Sequence, residues 1–90
     1  MERAEILAKG KVQGVGFRNF VYNSAINLDL KGYTFNLKNG DVQTLVEGEK
    51  EIIEKLILLL KKGNTLSIVE EVEVIWNSPT GEFQDFVVKR

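Results

Sequence analysis

Nine residues, Gly10-Lys11-Val12-Gln13-Gly14-Val15-Gly16-Phe17-Arg18, bring the end of an apolar strand, three glycines and an arginine together. Such a grouping suits the capture of an oxyanion. Glycines let the backbone turn tightly enough to aim several N–H groups at one point, and a helix opening there adds the positive end of its dipole. Arg18 contributes a full charge and a planar fork of donors that matches a phosphoryl group. A strand–glycine–helix turn is also a common plain connection, so the loop alone does not name a reaction. A second residue type with chemical potential is Asn36. Its carboxamide can accept one proton of a water and direct the oxygen lone pair at an electrophile. By pattern alone it is equally a polar strand residue close to a turn.

Composition narrows the chemistry. The chain has no cysteine and no histidine, which excludes disulfides, thiolate nucleophiles, zinc–thiolate sites and the commonest general base. A hydrolase built from it must position and polarise its reactants, or use a proton acceptor on the substrate itself. No metal and no cofactor are expected. Glu70, Glu71 and Glu73 are close in sequence, but strand alternation sends Glu70 to the face opposite the other two, so they read as a solvated edge. Lys9 and Lys11 share a face, either as outer lysines that discourage edge pairing or as positive potential near the loop. A formal net charge of −1 offers no general attraction to nucleic acid, and no RNP1-type strand is present. The turn also lacks the Gly-Lys-Ser/Thr of a nucleotide-binding loop. Ile52 to Leu60 is the longest apolar run, and Glu54 and Lys55 interrupt it far short of a membrane span. No signal peptide is visible, and a cytoplasmic monomer is expected.

Ninety residues suit one small domain with one core. Ile6, Ala8 and Val12 share a face of a first strand over residues 4–12. Phe17, Val21, Ala25 and Leu28 then recur as one stripe of a helix ending near Leu30. Tyr33, Phe35 and Leu37 alternate with Thr34, Asn36 and Lys38 before Asn39-Gly40, which predicts a type I′ hairpin turn into a strand over Val42 to Glu47. A second helix carries Ile52, Ile53, Leu56, Leu59 and Leu60 on its apolar face and closes with Lys61-Lys62-Gly63. Ser67 to Trp76 alternates again, with Ile68, Val72, Val74 and Trp76 on one parity. Phe83 to Lys89 forms a short last strand; Trp76 and Phe83 read as core or sheet cover. Two one-sided helices separated by a hairpin are best buried on one face of an antiparallel sheet. The fold class is therefore α+β, a ferredoxin-like split βαβ sandwich with two helices on one face and a short extra C-terminal strand.

The string Gly10 to Arg18 resembles, almost letter for letter, the signature of the acylphosphatases. Gly32-Tyr33-Thr34-Phe35-Asn36 followed by Gly40 is similar to a second family element, and the similarity runs through Val46-Glu47-Gly48 to Phe86-Val87-Val88. Tyr33 stands where tryptophan is commoner, Phe35 where a basic residue is frequent, and Gly63-Asn64 where Gly-Pro is typical. The resemblance implies an acylphosphatase-like domain over residues 1–90 that hydrolyses acyl phosphates to a carboxylate and inorganic phosphate. It implies that Gln13, Gly14, Val15, Gly16, Phe17 and Arg18 bind the phosphoryl group and that Arg18 and Asn36 are catalytic. The proton acceptor is then a phosphate oxygen of the substrate or a carboxylate near the loop. The alternative is a non-catalytic phosphate-binding accessory domain, as in larger carbamoyl-transferring proteins; those continue into cysteine-rich zinc segments, and this sequence has no cysteine.

Overall fold

The computed structural model describes residues 1–90. Its elements are β1 (Glu2–Lys11), α1 (Phe17–Asn27), β2 (Lys31–Asn36), β3 (Val42–Gly48), α2 (Lys50–Lys62), β4 (Ile68–Asn77) and β5 (Phe86–Val88). One sheet holds all five strands in the order β4-β1-β3-β2-β5. The first four are antiparallel to their neighbours, and β5 joins β2 in parallel. The extra strand thus makes the sheet mixed. Both helices cover one face, as expected. No helix is long and apolar enough to cross a membrane.

The core lies between that face and the helices. Ala4, Ile6, Ala8 and Val12 meet Val42 and Val46 from β3, Phe17, Val21 and Ala25 from α1, and Ile53, Leu56 and Leu60 from α2. Small alanines on β1 let α2 approach the central strands, while Phe17 fills the space beside the glycine loop. On α2 the buried set is Ile53, Leu56, Ile57 and Leu60, so Ile57 takes the inner place expected of Leu59, which is exposed. The spacing i, i+3, i+4, i+7 explains the choice, because it keeps a narrower stripe on the core side. Helix α1 stops at Asn27 rather than near Leu30. Asp29 adopts φ 57°, and the Leu30 N–H reaches back to the Ala25 carbonyl at 2.9 Å, a Schellman-type close in which aspartate replaces the usual glycine.

The alternation in β2 named no inner face, which the structure supplies, and two further expectations are corrected. In β2 it is Thr34 that is buried, whereas Tyr33 and Phe35 lie on the outer face of the sheet. Burial of Thr34 is tolerated because its hydroxyl meets that of Thr44 at 2.9 Å and the Gln43 carbonyl at 3.0 Å. The β2–β3 turn is not type I′, since Asn39 has no positive φ. Instead the Gly40 N–H closes onto the Leu37 carbonyl and Gly40 alone, at φ 100°, is left-handed, which makes a three-residue loop. In β4 a bulge opposite Lys9 and Gly10 moves Val69 to the helix side with Val72 and Val74 and leaves Ile68 exposed.

Because β4 and β5 occupy opposite edges, the segment between them crosses the outer face of the whole sheet. Glu47 on β3 pins it midway. Its carboxylate is 4% exposed and accepts the Thr80 and Gly81 N–H groups at 2.7 and 3.0 Å, with Arg3 Nη1 at 3.4 Å. Burial pushes the Glu47 carboxyl up, but the Thr80 and Gly81 donors and Arg3 outweigh it and hold the pKa below the ordinary 4.5. A depressed folded-state pKa stabilises the fold at neutral pH, and this contribution is lost as pH falls below about 4.5 through the lower folded value. Glu47→Ala is expected to cost about 1.5–3 kcal/mol, the usual range for hydrogen bonds to a charged group. Denaturant titration checks this at pH 7, and Glu47→Gln is expected to flatten the loss of stability on acidification.

Candidate active site

The glycine turn leaves β1 after Lys11 and re-enters regular structure at Phe17. Gly14 and Gly16 hold φ 73° and 75°, left-handed values that a side chain disfavours. A Cβ at Gly14 would meet no protein atom within 4 Å, so the glycine is needed there for conformation and leaves open space above the loop. Left-handed turns alternate the backbone direction, and the consequence is visible in the hydrogen bonds. None of the Gln13 to Gly16 N–H groups donates to a protein acceptor. The first bond after the loop runs from Phe20 N to the Gly16 carbonyl at 3.0 Å, so the N–H groups of Phe17, Arg18 and Asn19 are the open donors of the helix N-terminus. An unbroken run of donors from Gln13 to Asn19 is thereby free for an anion.

Gly14, Gly16, Phe17, Arg18 and Asn19 of this run border a pocket of about 150 Å³, which Val12, Asn36, Val88 and Arg90 complete. Arg18 and Asn36, 18 positions apart in the chain, both line it, Asn36 from the end of β2 and Arg18 from the first turn of α1. Arg18 Nη1 donates to the Lys89 carbonyl at 3.0 Å, which aims the guanidinium along the pocket wall. No aspartate or glutamate lines the pocket. No group of three or more metal-ligating side chains occurs in the protein.

The predicted residues have separate places. Gly14, Gly16, Phe17, Arg18 and Asn36 line the pocket. Val15 is buried beneath it, and Gln13 turns its side chain away to tie the loop down. Its Nε2 donates to the Leu37 and Asp41 carbonyls at 2.6 and 2.9 Å, bridging the loop to the hairpin that carries Asn36. A second tie comes from Asn64, whose Nδ2 donates to the Val15 carbonyl at 2.8 Å. The Gly-Pro typical of the resembling family would have no such side-chain donor. Lys9 lies 3.0 Å from Glu73, and their hydrogen bond raises the lysine pKa and lowers the glutamate's. That lysine is therefore paired across the sheet and adds little field to the loop. Asn19, Val88, Lys89 and Arg90 were not singled out by the sequence. Lys89 and Arg90 carried the usable signal, two cations directly after the last strand.

A family model described as Acylphosphatase matches residues 4–88. The chain belongs to the acylphosphatase family. A curated acylphosphatase of Dehalococcoides mccartyi is 44% identical over 90 residues, with 99% of each chain covered. One from Thermus thermophilus is 46% identical over 81 residues, covering 90% of this chain and 92% of the relative. The crystal structure of acylphosphatase from Bacillus subtilis superposes with a TM-score of 0.96 at 30% identity, with both chains covered completely. The protein is thus an acylphosphatase enzyme with the ferredoxin-like fold.

The two ties in this acylphosphatase act on different readouts. Gln13→Ala frees the loop from the Asn36 hairpin, and about a ten-fold loss of kcat is expected for a misplacement well under 1 Å. Asn64→Ala acts below the loop, with an expected loss of about 1 kcal/mol in stability and weaker phosphate binding. Steady-state kinetics, inhibition by inorganic phosphate and thermal melts separate the two.

Proposed function

We propose that this acylphosphatase hydrolyses the carboxyl–phosphate bond with its phosphoryl group held by the Gln13–Phe17 N–H groups and the Arg18 guanidinium. Asn36 orients the attacking water. The water oxygen forms a bond to phosphorus while the bond from phosphorus to the acyl oxygen breaks, and the carboxylate leaves. Protons from the water go to the phosphoryl oxygens, so the products are a carboxylate and inorganic phosphate. The observation that carries this reading is that Arg18 and Asn36 share one small pocket with the open donors of the loop. A substrate oxygen as proton acceptor is supported by a pocket lined with no carboxylate and by a chain without histidine.

Arg18 offsets negative charge on the phosphoryl oxygens as the bond to the leaving group lengthens, and the loop donors do the same without reorganising. Metal-independent turnover belongs to the proposal, since the cationic and N–H donors supply the electrostatic role that a magnesium ion would otherwise fill. Residues 1–90 act as one domain. A cytoplasmic monomer is in keeping with the absence of cysteine and with a site completed by a single chain.

Loss of benzoyl phosphate absorbance, followed in the presence of a chelator, tests the scheme. Arg18→Ala is expected to lose at least about 10²–10³ in kcat, the loss seen when an oxyanion-stabilising donor is removed. Asn36→Ala is expected to lose most of kcat while inorganic phosphate still competes. A chelated wild type that recovers activity only with magnesium, or an Asn36→Ala enzyme with unchanged kcat, would overturn the assigned roles.

A further inference from the structure

The phosphate pocket opens onto a second, wider depression of about 670 Å³. It shares Arg18, Asn36 and Arg90 with the first and adds Tyr33, Phe35 and Lys89. We propose that this depression receives the acyl group and that Lys89 makes it favour acyl chains ending in a second negative charge. This inference rests on the function proposed above. An acyl phosphate has two parts joined at the reacting bond. If Arg18 and Asn36 flank that bond, the space on their far side from the loop belongs to the leaving carboxylate.

The walls have the character of a built subsite. Tyr33 and Phe35 stand with ring centroids 5.8 Å apart, and Phe83 meets Tyr33 edge-on at 5.7 Å, which fixes the tyrosine ring. Lys89 Nζ lies 3.9 Å from the Tyr33 centroid. Its backbone is held on both sides, the N–H by the Thr34 carbonyl at 2.8 Å and the carbonyl by Arg18. Arg3, Lys9 and Lys31 are held by carboxylates, whereas Lys89 meets none, and no aspartate or glutamate lines the depression. A ring face attracts an ammonium without using up its N–H donors. The rings can therefore cover a methylene linker while the ammonium takes a terminal carboxylate. With the lysine placed beforehand, little conformational freedom is lost on binding.

The test compares kcat/KM for the mono-acyl phosphate of butanedioic acid with that for butanoyl phosphate, which differs chiefly by the terminal charge. The wild type is expected to favour the charged substrate by roughly three- to five-fold, as for an exposed ion pair. Lys89→Gln should remove the preference and Lys89→Glu should invert it. Raising KCl to about 1 M should erase it in the wild type, a readout independent of how well the variants fold. A wild-type ratio of one or less, or a ratio indifferent to both substitutions, overturns the subsite while leaving acyl phosphate hydrolysis standing. Wild-type turnover of neither substrate overturns both.

Discussion

The left-handed backbone at Gly14 and Gly16 is the constraint on which the rest of the site depends. It turns the N–H groups of the loop away from every acceptor in the protein and delivers the chain into α1 with its first donors still open. A loop of this kind is short of internal hydrogen bonds and would wander without outside support. Two side-chain amides supply it. Gln13 fastens the loop sideways to the hairpin, and Asn64 fastens it from below, each through carbonyl groups that leave the N–H groups untouched. The division is chemically economical, since carbonyls are bound by the protein and donors are reserved for an anion.

Charge is segregated by strand order. The chain is close to neutral, yet β4, with Glu70, Glu71 and Glu73, forms one edge of the sheet, and β5, leading into Lys89 and Arg90, forms the other. None of these glutamates lines the pocket, although β4 pairs with the strand that leads into the loop. Arg18 and Arg90 give the pocket a local cationic wall on a molecule with formal net charge −1, so an anion-attracting site needs no basic surface overall. The crossing segment makes this possible. By carrying the chain over the outer face, past Glu47 and with its own Phe83 against Tyr33, it places β5 beside β2 in parallel and sets the Lys89 carbonyl against Arg18.

Much of this was legible in the residues. Strict alternation in β1, the Phe17-Val21-Ala25 stripe and the glycine loop each announced its element, and their order implied the sandwich. Periodicity states a period without stating a side, however, and β2 shows the cost. Tyr33 and Phe35 share one parity, but Tyr33 packs against Phe83, 50 positions away in the chain, while the inner place goes to a threonine satisfied by a second threonine on β3. The bulge in β4 was equally hidden, because one extra residue shifts parity without altering composition. At the site, Arg18 and Asn36 were legible through family resemblance. Gln13 was read for its backbone N–H, and the strut made by its side chain went unnoticed, as did Asn64, which passed as a mere departure from the usual Gly-Pro. Their targets are backbone carbonyls, which no sequence pattern marks.

The two depressions at the site differ in a way that bears on what such a small enzyme can recognise. The smaller, about 150 Å³, is walled largely by the glycine loop and the first turn of α1; the neighbouring one, about 670 Å³, is wider and lined by side chains of β2 and the C-terminal segment. Interactions with the phosphoryl group strengthen as charge moves onto its oxygens and so lower the barrier, whereas contacts to a remote part of the acyl group change little between substrate and transition state. A chain of this size has one core and one rigid loop to work with. In the proposed mechanism the fixed donors are concentrated on the atoms whose charge changes, which favours rate, and the wider depression imposes little shape on the leaving group. Selectivity there must come from one or two side chains at the rim rather than from shape, and β5 places such side chains within reach of the reacting bond.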